Sequence, residues 1–130
     1  MDMLDGLIQA AMKARENAYA PYSGFRVGAA LETELGLVQG CNVENASFGV
    51  TCCAERNALF AAIAQGARQF TRIAIISDAD DYCYPCGVCR QALYEFNPNM
   101  AIVVCCANGK YRVHTLSELL PHGFGPDALR

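Results

Sequence analysis

An α/β domain of three layers, with helices packed over both faces of a mixed five-stranded sheet, is predicted by two observations. Apolar residues at helical spacing alternate with short β-type runs in the order α-β-β-α-β-α-β-β-α. Two of those runs, 72–77 and 101–106, are almost continuously apolar, as strands covered on both faces are. With 130 residues, one domain spanning 1–130 and one core are expected.

The elements follow in order. Leu4, Leu7, Ile8, Ala11, Ala14 and Ala18 recur at helical spacing, with Asp2 as a cap and Pro21 as the stop. Phe25, Val27, Ala29 and Leu31 alternate along a strand, and Gly36 turns the chain into a second strand over 37–43, a hairpin. Residues 44–50 read as loop, and a helix opening at the Cys53 stretch stops at Gly66. Strand 72–77 leads through a polar loop to a second helix that opens at Pro85-Cys86 and ends at Asn97-Pro98-Asn99. Strand 101–106, an Asn108-Gly109 turn and strand 111–114 form a second hairpin. Thr115 caps a short last helix, 116–120.

Composition removes several classes. Hydrophobic residues make up 53% and charged ones 18%, which excludes a disordered chain or a coiled coil. No apolar stretch is long enough to span a bilayer, so no membrane association is expected. A net charge of −3 without a basic stripe argues against nucleic acid as a partner. The acidic start Met1-Asp2-Met3-Leu4-Asp5 lacks the basic segment of a secretory signal, so a cytoplasmic, reducing location is expected. There, 8 clustered cysteines read as metal-binding or catalytic rather than as disulfides.

The cysteines that carry chemistry lie in Thr51-Cys52-Cys53-Ala54-Glu55-Arg56 and Tyr84-Pro85-Cys86-Gly87-Val88-Cys89-Arg90. Cys86 and Cys89, three apart, share one face of a first helical turn, and Pro85 suits the start of that helix. Cys53, opening the other helix, supplies a third thiolate. Three protein ligands and an open fourth position suit a catalytic Zn²⁺, one per subunit. Three thiolates exceed the zinc charge by one. Two helix N-termini, each worth roughly half a positive charge, offset it, and Arg56 is placed to hydrogen-bond a cysteine sulfur. Glu55, two positions from Cys53, does not share its helix face and reads as the proton carrier beside the metal. A closed structural site with Cys52 as fourth ligand is the plainer alternative, but adjacent cysteines reach one metal only with strain. Cys41, Cys105 and Cys106 are expected in the core, Cys83 as a bystander, and His114 and His122 as surface or packing residues.

Cys53-Ala54-Glu55-Arg56 with Pro85-Cys86-Gly87-Val88-Cys89-Arg90-Gln91 resembles the cytidine deaminase family of small homotetrameric enzymes. The resemblance extends to Asn42-Val43-Glu44-Asn45-Ala46-Ser47, Tyr19-Ala20-Pro21-Tyr22-Ser23, Leu119-Leu120-Pro121 and Phe124-Gly125-Pro126, so it covers essentially the whole chain. It implies hydrolysis of cytidine or deoxycytidine to uridine or deoxyuridine and ammonia, in pyrimidine salvage. Zinc-activated water would attack C4, with Glu55 protonating N3 and then the leaving ammonia. It further implies that Asn42 and Glu44 hold the ribose 3′-hydroxyl and that Phe25 packs beside the base and sugar. Backbone groups at Ala54 and Cys86 would contact the base and the nucleophile, and Phe124 would reach the base from a neighbouring subunit, giving shared active sites in a homotetramer. Phe48 stands where the family often has Tyr, and Tyr84 where a small residue usually precedes Pro-Cys. Two alternatives are a deaminase of another cytosine-bearing small molecule, such as a nucleoside antibiotic, and a non-catalytic zinc-stabilised module.

Overall fold

A computed structural model describes residues 4–129. Helices α1 (Asp5–Arg15), α2 (Ala54–Ala64), α3 (Gly87–Tyr94) and α4 (Leu116–Leu119) accompany strands β1 (Val27–Thr33), β2 (Gly36–Cys41), β3 (Phe70–Ser77), β4 (Ala101–Cys105) and β5 (Tyr111–Thr115). The strands form one sheet in the order β2-β1-β3-β4-β5. Only β3 and β4 run parallel; the other neighbours are antiparallel, so the sheet is mixed as predicted.

Strand alternation here separates two cores rather than core from solvent. Ala30, Ala74, Ile76, Val103 and Cys105 meet Leu7, Ile8 and Ala11 of α1 on one face. Ala29, Leu31, Ile73, Ile75, Ile102 and Val104 meet Ala58, Leu59 and Ala62 of α2 and Leu93 of α3 on the other. Burying a side chain such as Ile73 or Ile75 fully stabilises the fold by about 1.5–3 kcal/mol.

The sheet also decides where the site lies. β2 and β3 are both antiparallel to β1, so they run the same way and finish at one edge, where Cys41 pairs with Gly28 and Ser77 with Val27. The chain leaves that edge from β2 toward α2 and from β3 toward α3. Both helix N-termini are thereby brought to the end of the sheet where α/β sites commonly form.

Several boundaries differ from expectation: β2 ends at Cys41 rather than 43, β3 begins at Phe70 rather than 72, and the loop 44–50 carries a 3-10 turn over Phe48–Val50. α1 stops at Arg15, well short of Pro21, because the backbone of Tyr19 is drawn away: its N–H donates to Asn42 and its carbonyl accepts from Glu44. β1 starts at Val27, not Phe25, since the Asn42 side chain replaces the ladder there, accepting from Val27 N–H and donating to the Phe25 carbonyl. Pro85 precedes the N-cap of α3 instead of occupying its first turn, the N-cap being Cys86. Asp2, expected as the cap of α1, lies outside the described residues. α2 ends as predicted: Gly66 takes φ +99° and the Ala67 N–H reaches back to the Ala62 carbonyl.

Candidate active site

The site is built from two helix starts with the same local plan. Cys53 is the N-cap of α2 and Cys86 that of α3, both with extended backbone that turns the side chain back over the first helical turn. The residue three further on meets that side chain. On α3 it is Cys89; on α2 it is Arg56, whose Nη2 lies 3.3 Å from the Cys53 Sγ. The Sγ atoms of Cys53, Cys86 and Cys89 lie within 4.8 Å of one another, and those of Cys53 and Cys86 are 3.8 Å apart. Cys52 and Glu55 do not join this group.

The three converging sulfurs form a donor set for a cation. Hydrogen bonding from the Cys89 thiol, helped by Arg56, brings Cys53 down to about 5. Cys89 moves the other way, because Cys53 takes its hydrogen bond and because it is buried. The Arg56 guanidinium is held charged by Cys53 and then Cys89, while its Nε is buried without a hydrogen-bond partner. Sulfurs this close cannot all be thiolates without a metal ion between them. Three sulfurs converging on one point, with room for a fourth ligand, are a donor set that suits Zn²⁺.

Glu55 follows on α2 and is 4% exposed. Burial pushes its carboxyl up to about 7, against the pull of its own backbone N–H and with the Cys53 charge adding to the rise. Cys83, beside it, is pushed up to about 12 by burial and is a neutral thiol. α2 can lie this close to the sheet because residue 40 is glycine: a Cβ there would stand 2.5 Å from the Ala54 carbonyl oxygen and 2.4 Å from the Ala58 nitrogen.

A cavity of about 240 Å³ opens over the cluster. Phe25, Asn42, Cys53, Ala54, Glu55 and Cys86 all line it, so most residues singled out from the sequence meet in one place. Cys89 lies fully buried beneath. Glu44 lines an adjoining depression with Tyr22, Ser23 and Phe48, and Thr51 borders both spaces. Phe124 is not in the cavity of its own chain; it is 55% exposed, and its carbonyl accepts from Gln91 of α3.

The Asn42 and Glu44 segment is held by backbone pairing. Val43 and Cys52 exchange N–H···O bonds of 3.0 Å in each direction, and Tyr19 bridges the other side. Asn42 is committed to Phe25 and Val27, leaving one amide hydrogen of its Nδ2. Glu44 accepts from the Tyr22 and Ser23 N–H groups and from the Ser23 hydroxyl, leaving about one of its roughly four acceptor positions. The Ser23 hydroxyl holds this carboxyl below its usual range, so it is ionised.

Sequence reasoning missed several supports. Asn57 donates to the Cys41 and Cys52 carbonyls, tying the end of β2 to the strand-like turn before Cys53. Its signal was an amide just ahead of the apolar run 58–64 of α2. Arg90 donates to the Pro85 and Leu119 carbonyls and so fixes the approach to Cys86. His114, expected to have no site role, contacts Tyr84 at the cavity; only pairing of the distant β5 brings it there.

Proteins of known kind resemble this chain in sequence and geometry. The cytidine and deoxycytidylate deaminase zinc-binding region matches residues 1–106. A cytidine deaminase of Sporosarcina psychrophila is 42% identical over 97% of this chain and 94% of its own length. One of Halalkalibacterium halodurans is 46% identical over 91% of each. The crystal structure of cytidine deaminase from Burkholderia pseudomallei superposes with a TM-score of 0.89 at 48% identity, covering 95% of this chain and all of that one. The chain belongs to the cytidine and deoxycytidylate deaminase family.

Proposed function

We propose that this family member hydrolyses cytidine and deoxycytidine to uridine and deoxyuridine with release of ammonia, as one catalytic domain spanning residues 1–130. The observation that carries the reading is a buried carboxyl, Glu55, lining the same cavity as a three-sulfur metal set. Cys53, Cys86 and Cys89 would hold one Zn²⁺ per subunit, which supplies a water acidic enough to act near neutral pH. Glu55, buried beside the sulfur set, carries one proton of the attacking water to N3 and the second to the departing amino group, which leaves as ammonia. Arg56 offsets the surplus thiolate charge and orients Cys53. The Ala54 N–H and the backbone at Cys86 face the base from the two helix starts.

Nucleoside recognition falls to the opposite side. The remaining Asn42 amide hydrogen and the remaining Glu44 acceptor position form a donor and acceptor suited to one ribose 3′-hydroxyl, with Phe25 beside the base and sugar. A 3′-phosphate would bring a second negative charge to Glu44. The substrate is thus a free nucleoside, not a nucleic acid, and the reaction belongs to pyrimidine salvage.

The assembly is a homotetramer with shared sites. Phe124, Phe48 and Val88 are 55%, 75% and 60% exposed, surface that a neighbouring subunit would cover. Phe124 then reaches the base of an adjacent subunit. The location is cytoplasmic, where eight free cysteines stay reduced. No helix among the described residues is long and apolar enough to cross a membrane.

The test is an absorbance and ammonia assay on the zinc-loaded protein. Cytidine and deoxycytidine should turn over, 3′-deoxycytidine at least roughly tenfold less efficiently, and 3′-CMP not at all. Equal rates on cytidine and 3′-CMP would remove Glu44 from the site. Mixed tetramers of Glu55→Gln and Phe124→Ala chains should regain activity if Phe124 acts across the interface. Failure of such tetramers to complement would confine Phe124 to its own subunit.

A further inference from the structure

The cavity has one wall whose position is fixed from outside the site. Tyr84 lines it, and the Tyr84 hydroxyl lies 3.0 Å from His114 Nε2 on β5. The two rings pack with centroids 5.4 Å apart. The other ring nitrogen of His114 lies 3.7 Å from Glu118, whose carboxylate also accepts from the Thr115 N–H in the capping box of α4. Next to it, Arg112 stacks over Tyr82, 4.2 Å from the ring centroid, pinning the loop that carries Tyr84. Tyr84, 41% exposed, thus has its hydroxyl and ring tied to His114 of β5, which Glu118 of α4 engages in turn.

On the reading proposed above, the substrate orientation follows by elimination. C4 of the pyrimidine points at the three sulfurs. The N3 and O2 edge faces α2, which brings Glu55 and the Ala54 N–H. The sugar lies toward Phe25 and Asn42. The remaining C5 edge, on the other side of C4 from N3, falls to the side that the α3 approach contributes, Cys83 and Tyr84.

We infer that Tyr84, braced by His114, limits the size of the substituent accepted at pyrimidine C5, so that the enzyme discriminates against 5-methylcytosine nucleosides. The inference rests on the deaminase reading for substrate orientation. A ring tied to His114 by a hydrogen bond and a ring contact yields less readily to a methyl group than an untethered surface side chain does.

The experiment compares kcat/KM for cytidine and 5-methylcytidine, with zinc content measured, in the parent, Tyr84→Ser and Tyr84→Phe. The parent should favour cytidine by roughly 10–200-fold, the range that one misfitting methyl group produces. Tyr84→Ser, which removes the ring, should bring that ratio down by at least roughly tenfold with zinc retained. Tyr84→Phe, which keeps the ring, should hold most of it. Calorimetric affinities for uridine and 5-methyluridine should show the same ordering, which makes the test independent of turnover. An unchanged ratio in zinc-replete Tyr84→Ser would overturn the inference. So would a parallel loss on both substrates, which marks Tyr84 as a structural support only. A parent that binds uridine but releases no ammonia from cytidine fails the deaminase reading, and the two product affinities then still decide the role of Tyr84.

Discussion

The two sides of the cavity are built by different means. At the sulfur end, each group is placed by its position within a helix start, N-cap or three residues on, and the side chains carry the chemistry with little duty to the fold. At the ribose end, Asn42 and Glu44 sit on a segment clamped between Tyr19 and Cys52, and their side chains already satisfy the backbone of other segments. One end can therefore be disarmed without being unfolded. The other binds substrate only with the hydrogen-bonding capacity left over from holding the loop together.

The sharpest separation should come from Cys86→Ala. Losing one of three ligands should abolish both zinc binding and turnover, with some loss of stability. Metal analysis alongside the ammonia assay checks this, and full zinc occupancy would mean that the metal lies elsewhere.

Next in size is Glu55→Gln, which removes the proton carrier but no sulfur. Turnover should fall by about 10²–10⁴-fold with zinc still stoichiometric. Loss of the metal in this variant would make Glu55 a ligand and erase the division of labour at the sulfur end.

Asn42→Ala probes the other end, and its main effect should be on the fold. It leaves the Val27 N–H and the Phe25 carbonyl without their partner, at about 1–3 kcal/mol for each group left buried and unpaired. Thermal unfolding should show a clear drop in Tm while zinc binding by the folded protein persists. A variant as stable as the parent but weak in nucleoside binding would make the ribose end as independent of the fold as the sulfur end.

The smallest effect should be that of Arg56→Ala. The thiolate charge then lacks its guanidinium partner, so zinc should be lost more readily to a chelator and activity should fall several-fold, with the fold intact. Chelator competition identical to that of the parent would reduce Arg56 to a surface charge.

The sequence by itself determined whatever depends on short-range geometry. Cys86 meets Cys89, and Cys53 meets Arg56 three residues on, because helical rise and N-cap conformation allow little else, while the sheet brings the two helix starts together. The apolar runs of β3 and β4 announced strands covered on both faces, and the turn at Gly66 announced its helix end. Only the tertiary structure decided where chain segments compete for the same hydrogen bonds. α1 ends early because Tyr19 pairs with Asn42 and Glu44, and β1 starts late because an asparagine side chain takes the place of a strand. Tyr84 and His114, 30 residues apart, meet because β5 pairs with β4 at the edge of the sheet. No local pattern encodes such contacts, since their partners are set by sheet register and not by spacing along the chain.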